Sequence, residues 1–220
     1  MPLDRVLVDV DADAPNAPTV VLLHGFLGMV DDLAPFARSL RVPGRFVVPH
    51  GIFDMAPLRG RAWWPIDVDE RDAQIAKGPR DLSAFVPDGL AHARLVVSEL
   101  VEELLAARPN APLVLGGFSQ GGMLCSEITF CTTYPIRALA LFSSARIGAG
   151  SWKAGYALRK DMPIFMSHGR SDHDLAFAAA EAYKDELLAN DLRVDWCPFD
   201  GGHEIPLVVL RAFKKFLRDL

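Results

Sequence analysis

Gly117-Phe118-Ser119-Gln120-Gly121 decides how the chain is read. The residues before it, Ala111-Pro112-Leu113-Val114-Leu115-Gly116, form a short apolar run with the character of a buried strand. Those after it, Gly122-Met123-Leu124-Cys125-Ser126-Glu127-Ile128, have the composition of a helix start. A serine between glycines on a sharp strand-to-helix turn is a nucleophile elbow, which holds Oγ clear of its surroundings. The glycines let the chain turn tightly and the helix approach the strand, and the serine backbone is commonly strained there. The context is right on both sides.

Outward from the elbow, predicted strands and helices alternate, which is the signature of a mostly parallel sheet covered on both faces. Residues 3–10 alternate apolar and polar, as an edge strand does. Thr19-Val20-Val21-Leu22-Leu23 is unbroken and β-branched, as in a strand buried on both faces. A helix over 31–40 and a strand over 45–48 follow. Residues 87–108 read as a helix, with Leu90, Val97, Leu100, Val101 and Leu104 at helical spacing and Pro87 suited to its first turn. Strands at 138–142, 163–166 and 194–199 flank an amphipathic helix at 175–190. A last helix spans 205–217, with Ile205, Val208, Val209, Ala212, Phe213 and Phe216 on one side. Residues 50–86 break this rhythm, with no clear periodic element. Connections that long inside a compact domain often act as lids or binding loops. The fold class expected is therefore α/β, with one domain over residues 1–220 and a substrate-covering loop at 50–86.

Composition removes several other classes. The chain has 220 residues, 50% of them hydrophobic, enough for the core of one ordinary domain. A net charge of −5 with scattered Lys and Arg gives no electrostatic footprint for nucleic acid. No apolar run approaches the roughly 18–20 residues a bilayer-spanning helix needs. Met1-Pro2-Leu3-Asp4-Arg5 lacks a basic region followed by an apolar stretch, so no secretory signal is visible. Three cysteines, Cys125, Cys131 and Cys197, make an odd count without metal-ligand spacing. Cys125 and Cys131 fall on one predicted helix, too far apart for a simple bridge. Reduced thiols and a cytoplasmic location are the expectation.

A serine hydroxyl needs a base to take its proton as it attacks, and imidazole suits that task. A carboxylate then fixes the imidazole tautomer. Elbow-type folds supply these groups in the chain order Ser, Asp or Glu, His. Asp172 follows the predicted strand at 163–166 and His203 follows the one at 194–199, so both fall beyond strand ends, where open parallel sheets bind ligands. Ser119, Asp172 and His203 are thus the expected catalytic set. His24 and His168 each precede a glycine directly after a strand, where an imidazole commonly bonds loop backbone, while His50 and His173 also sit near strand ends or in loops. Asp174 competes with Asp172, but it abuts the helix at 175–190 and reads as its cap. Asp161 lies at the wrong end of its strand, and Ser143 and Ser144 lack flanking glycines and read as turn residues.

The oxyanion of a tetrahedral intermediate also needs donors. The backbone N–H of Gln120, at the helix start, is one. The other is expected from His24-Gly25-Phe26-Leu27-Gly28, directly after Thr19–Leu23, with Phe26 preferred over Leu27. Leu27, Trp63 and Trp64 are the candidate substrate-binding residues, since Trp63-Trp64-Pro65 brings half of the chain's four tryptophans into residues 50–86. No His/Asp/Glu cluster has metal-ligand spacing, so neither metal nor cofactor is expected.

The chain resembles the α/β hydrolases, and in particular the phospholipase/carboxylesterase family that includes the acyl-protein thioesterases. The resemblance rests on Leu23-His24-Gly25, Gly117-Phe118-Ser119-Gln120-Gly121-Gly122, His168-Gly169-Arg170-Ser171-Asp172 and Gly202-His203-Glu204, in the family's order over nearly the whole chain. It implies cofactor-independent hydrolysis of carboxylic or thiol esters through an acyl-enzyme, with a small-molecule ester or lipid-like substrate. It also implies catalytic roles for Ser119, Asp172 and His203 and oxyanion donation from Phe26 and Gln120. The chain departs from the family at Gly25-Phe26-Leu27-Gly28-Met29, where many members read Gly-Leu-Gly-Asp, and only loosely echoes it around Trp63-Trp64-Pro65-Ile66-Asp67. A lysophospholipase or protein-deacylating enzyme, and a non-catalytic binder on the same fold, are the alternatives.

Overall fold

The computed structural model describes residues 3–148 and 150–220. The first half of the chain forms β1 (Arg5–Val10), β2 (Thr19–Leu23), α1 (Val30–Leu40) and β3 (Gly44–Pro49). Residues 50–86 then hold two short strands, β4 (Phe53–Asp54) and β5 (Arg61–Ala62), and a helix, α2 (Val68–Ile75). After α3 (Leu90–Ala107) come β6 (Leu113–Phe118), α4 (Gln120–Cys131) and β7 (Ile136–Phe142). The chain closes with α5 (Lys153–Tyr156), β8 (Pro163–Gly169), α6 (Phe177–Ala189), β9 (Arg193–Phe199) and α7 (Leu207–Arg218).

The main sheet runs in the order β1-β3-β2-β6-β7-β8-β9. Only β1, paired antiparallel with β3, departs from the parallel arrangement. The two-residue side-chain period of β2 explains how one strand serves two cores. Val21 and Leu23 pack with α3 and α4, while Val20 and Leu22 pack on the opposite face with α1 and α7. All four are fully buried, which is why no polar residue interrupts the strand. On the second face Phe142, Phe165 and Phe213 contact one another at ring-centroid distances of 5.0–5.7 Å. Such offset and edge-on geometries add to the burial of the rings.

Three expectations need correction. The third helix starts at Leu90 rather than Pro87, because its N-cap Gly89 takes φ +87°, a conformation open to glycine. Residues 50–86 do contain a helix, α2, whose sequence VDERDAQI has no apolar stripe to announce it. It is held instead by the Asp67 side chain accepting from the Glu70 N–H at 2.9 Å and by a Gln74–Glu70 hydrogen bond of 3.1 Å. Finally, α7 starts at Leu207, and Val208 is exposed rather than on the buried side, which Val209, Phe213, Phe216 and Leu217 form.

Candidate active site

The site sits at the carboxyl ends of β2, β6, β8 and β9. Ser119 has φ +50° and ψ −116°, a strained conformation for a residue with a side chain. The surroundings enforce it. The Ser119 N–H donates to the Phe142 carbonyl at 2.9 Å, and its carbonyl accepts from Met123 N–H at 3.1 Å and from Ser144 Oγ at 3.0 Å. A side chain at Gly121 would collide with the Leu23 carbonyl, and one at Gly117 with the backbone of Gly121. The two glycines therefore let α4 start directly against β2 and β6.

His203 belongs to the loop after β9, three strands from β6, or about 14 Å at the usual strand spacing. The loop reaches back across that gap, and its imidazole packs on Phe118 with ring centroids 4.8 Å apart. The Nδ1 of His203 lies 2.7 Å from Asp172 Oδ2. A carboxylate there makes Nδ1 the donor and leaves Nε2 free as a base. Ser143, at the end of β7, donates from Oγ to the Glu204 carbonyl at 3.2 Å and so helps hold the loop. Among the described residues Ser119 and His203 form no direct hydrogen bond with each other. In sites without substrate that contact is commonly long and tightens only in the complex.

Asp172 is 3% exposed and fully engaged. Its Oδ1 accepts the Asp174 and Leu175 N–H groups at 2.8 and 2.9 Å. Its Oδ2 lies 2.7 Å from His203 Nδ1 and 3.3 Å from His168 Nε2. Burial opposes ionisation of this carboxyl, but the hydrogen bonds from His168 and His203 outweigh it and hold the group well below the ordinary carboxylate range. His168 thus does more than bond loop backbone. Its Nε2 faces both Asp172 and the Leu175 carbonyl, at 3.1 Å, so that nitrogen carries the proton and donates. Only the third dimension brings His168 onto the carboxylate.

His24 is excluded as a base by its own bonds. Its Nδ1 donates to the Gly25 carbonyl at 2.8 Å and its Nε2 accepts the Gly51 N–H at 2.8 Å, so both ring nitrogens are taken by loop backbone. Burial lowers its pKa and keeps it neutral. The loop that it braces carries Gly25 and Phe26 against the elbow. A methyl at Gly25 would lie 2.9 Å from Phe118 Cδ1 and 3.4 Å from Ser119 Cβ. Among the described hydrogen bonds, none is donated by the N–H of Phe26 or of Gln120. Two such donors beside a serine hydroxyl are what an oxyanion requires.

A cavity of about 290 Å³ opens beside Ser119, lined by Phe26, Trp64, Ile66, Leu82, Gln120 and Met123 and by the charged Arg71, Arg80 and Asp174. Trp64 takes its place there. Trp63 does not: it is completely buried, with its indole N–H donating to the His24 carbonyl at 2.8 Å, and serves as core. Leu27 lines a separate hollow with Phe36, Phe118 and Ile205, and Phe26 borders both spaces. The sequence points only to the backbone N–H of Gln120, and its side chain has a role of its own. Its Oε1 accepts the Trp63 N–H at 2.9 Å and its Nε2 donates to the Trp64 carbonyl at 2.8 Å, pinning the cavity wall to the elbow. Asp174 does not cap α6, which begins at Phe177. Its carboxylate pairs with Arg71 and Arg80 instead.

This sheet order, with a strained serine after a central strand and a His–Asp pair on later strand ends, defines an α/β-hydrolase fold carrying the parts of a serine hydrolase. The sequence pattern of the phospholipase/carboxylesterase family matches residues 7–220, and the chain belongs to that family. It is accordingly an enzyme of the serine carboxylesterase type. It is 25% identical to Acyl-protein thioesterase 1 of Neurospora crassa over 223 residues, covering 96% of this chain and 89% of that protein. Among solved structures it resembles esterase PE8, with a TM-score of 0.82, 23% identity, and coverage of 100% and 99% of the two chains. The Bacillus cereus carboxylesterase gives a TM-score of 0.76 at 16% identity, with 99% and 94% covered. No helix among the described residues is long and apolar enough to cross a membrane.

Proposed function

We propose that Ser119 is the nucleophile, that His203 is its general base and then general acid, and that Asp172 fixes the His203 tautomer. Ser119 Oγ attacks the ester carbonyl while His203 Nε2 takes its proton. The oxyanion rests on the N–H groups of Phe26 and Gln120. Collapse breaks the bond to the leaving oxygen, which receives the proton from Nε2, and leaves an acyl-enzyme. Water, deprotonated by the same nitrogen, then releases the acid and restores Ser119. No cofactor enters any of these steps.

The observation that carries the reading is the strained Ser119 near a half-buried His203 bonded to the buried Asp172, with two N–H groups that find no acceptor among the described residues. A small to medium carboxylic ester is the substrate class, because the cavity of about 290 Å³ lies at the small end of ligand pockets and is walled partly by charge. Residues 50–86 act as its cover, through Trp64, Arg71 and Leu82. Hydrolysis of an acyl thioester by the same residues is the second reading, favoured by the likeness to Acyl-protein thioesterase 1. Three free cysteines suit a reducing compartment, and we place the protein in the cytoplasm.

The test is initial rates on p-nitrophenyl acetate and on an acyl thioester, with Ser119→Ala beside the wild type. The expected result is a loss of several orders of magnitude in the variant with the fold kept. Turnover that survives in Ser119→Ala would remove the nucleophile assignment. Absence of any Ser119-dependent rate would favour a non-catalytic binder.

A further inference from the structure

Asp174 stands two residues beyond Asp172 and is tied in four directions. Its carboxylate accepts hydrogen bonds from Arg71 and from Arg80, the latter through Nε at 3.1 Å. The Asp174 and Arg80 side chains are each 12% exposed. Its N–H donates to Asp172 Oδ1 at 2.8 Å, and its carbonyl accepts the Arg80 N–H at 2.9 Å. The Arg80 carbonyl in turn accepts the Ala176 N–H at 2.9 Å, so residue 80 is zipped to the loop after β8.

Arg71 also pairs with the exposed Asp72 at 3.1 Å and has one further contact. Its guanidinium carbon lies 5.9 Å from the centroid of the Phe26 ring, within cation–π range. Phe26 follows β2 and Asp174 follows β8, three strands along in the sheet order. Ser119, at the end of β6, lies between them. One arginine side chain that touches both walls therefore crosses the cleft that Ser119 opens into, and Phe26, Ser119, Arg71 and Asp174 all line that one cavity.

This strap is hard to displace. Taking Arg71 off Asp174 would leave a largely buried carboxylate with one partner fewer, and an alkyl chain in its place would not solvate it. The cavity of about 290 Å³ has room for a small acyl group with the arginine in place, whereas a chain extended along the cleft runs into it.

We propose that Arg71, strapped across the cleft by Asp174, is a specificity-determining residue of this site and limits the size of the acyl group that reaches Ser119. The inference rests on Ser119 being the nucleophile. The experiment is kcat/KM for p-nitrophenyl acetate and decanoate on wild type, Arg71→Gln, Asp174→Asn and the double variant, with Ser119→Ala as background. Each strap variant should raise the decanoate-to-acetate ratio by about tenfold or more, the scale on which pocket fit discriminates acyl groups. The double variant should do no more than Arg71→Gln alone, because both substitutions cut the same strap. A loss of packing would lower both rates together and leave their ratio where it was. A Ser119-dependent acetate rate with an unchanged ratio in a cooperatively folded Arg71→Gln overturns the strap alone. Acetate turnover that persists in Ser119→Ala overturns the functional reading and the strap with it. Arg71→Gln lies on α2, outside the triad loop, and keeps the test open if Asp174→Asn fails to fold.

Discussion

Replacing Asp172 by Asn changes one atom for another of similar size and reverses the hydrogen-bond sense of half the side chain. The two backbone N–H groups of Asp174 and Leu175, at 2.8 and 2.9 Å, hold an acceptor at the Oδ1 position. The Asn oxygen must take that place. Its NH2 group then faces His203 Nδ1, where Oδ2 now stands 2.7 Å away. To accept from that amide, His203 must move its proton from Nδ1 to Nε2, the nitrogen that has to receive the Ser119 proton. The base is then present in the wrong tautomer. The same substitution in the Ser-His-Asp triad of a serine protease lowers turnover about 10⁴-fold. At 1.36 kcal/mol per tenfold, that is a loss of about 5.4 kcal/mol of transition-state stabilisation. His168 Nε2, 3.3 Å from Oδ2, would also meet a donor instead of an acceptor. It keeps the Leu175 carbonyl at 3.1 Å as a partner, so what is lost is one hydrogen bond to a charged group, about 1.5–3 kcal/mol of stability. The assay is kcat/KM on p-nitrophenyl acetate, with urea unfolding of both proteins in parallel. A folded Asp172→Asn within tenfold of wild type would refute the role given to Asp172.

Gln120→Ala should destabilise the fold by about 2–6 kcal/mol, because it strands the buried Trp63 N–H and Trp64 carbonyl together. Its urea midpoint measures this, and an unchanged midpoint would show that the clamp is dispensable. Acid should weaken the fold through Asp172 and Asp174. In each, burial opposes ionisation but hydrogen bonds, from His168 and His203 in one case and from Arg80 and Arg71 in the other, hold the folded pKa below its ordinary value. A depressed folded pKa means the unfolded chain binds more protons. The stabilisation is therefore full above the unfolded value of about 3.9 and is lost as pH falls below it. Melting temperature against pH should fall more steeply below pH 4 in wild type than in Asp174→Asn, and parallel curves would contradict the ion-pair account.

The parts of this protein legible in its sequence are those written in local pattern. Thr19–Leu23 is a strand in the structure over the same residues, because burial on both faces demands an unbroken apolar run. The elbow is legible because its glycines meet a steric need of the turn itself. What was missed depends on partners far away in the chain. Helix α2 has no apolar stripe, since it is fastened by Arg71 to a carboxylate 103 residues on. Asp174 looked like a cap because it precedes a helix, yet the helix starts three residues later and two arginines claim the side chain. Trp63 and Trp64 are neighbours of one type, and only the packing of the first against His24 divides core from cleft.

The central claim is that Ser119 is the residue that becomes acylated. A fluorophosphonate probe, which traps activated serine nucleophiles covalently, tests it directly by intact-mass and peptide mass spectrometry. One label per chain on the peptide bearing Ser119, lost in Ser119→Ala and formed in step with the loss of esterase activity, is the result expected. A label on another residue, or full inactivation with Ser119 unmodified, would contradict the account.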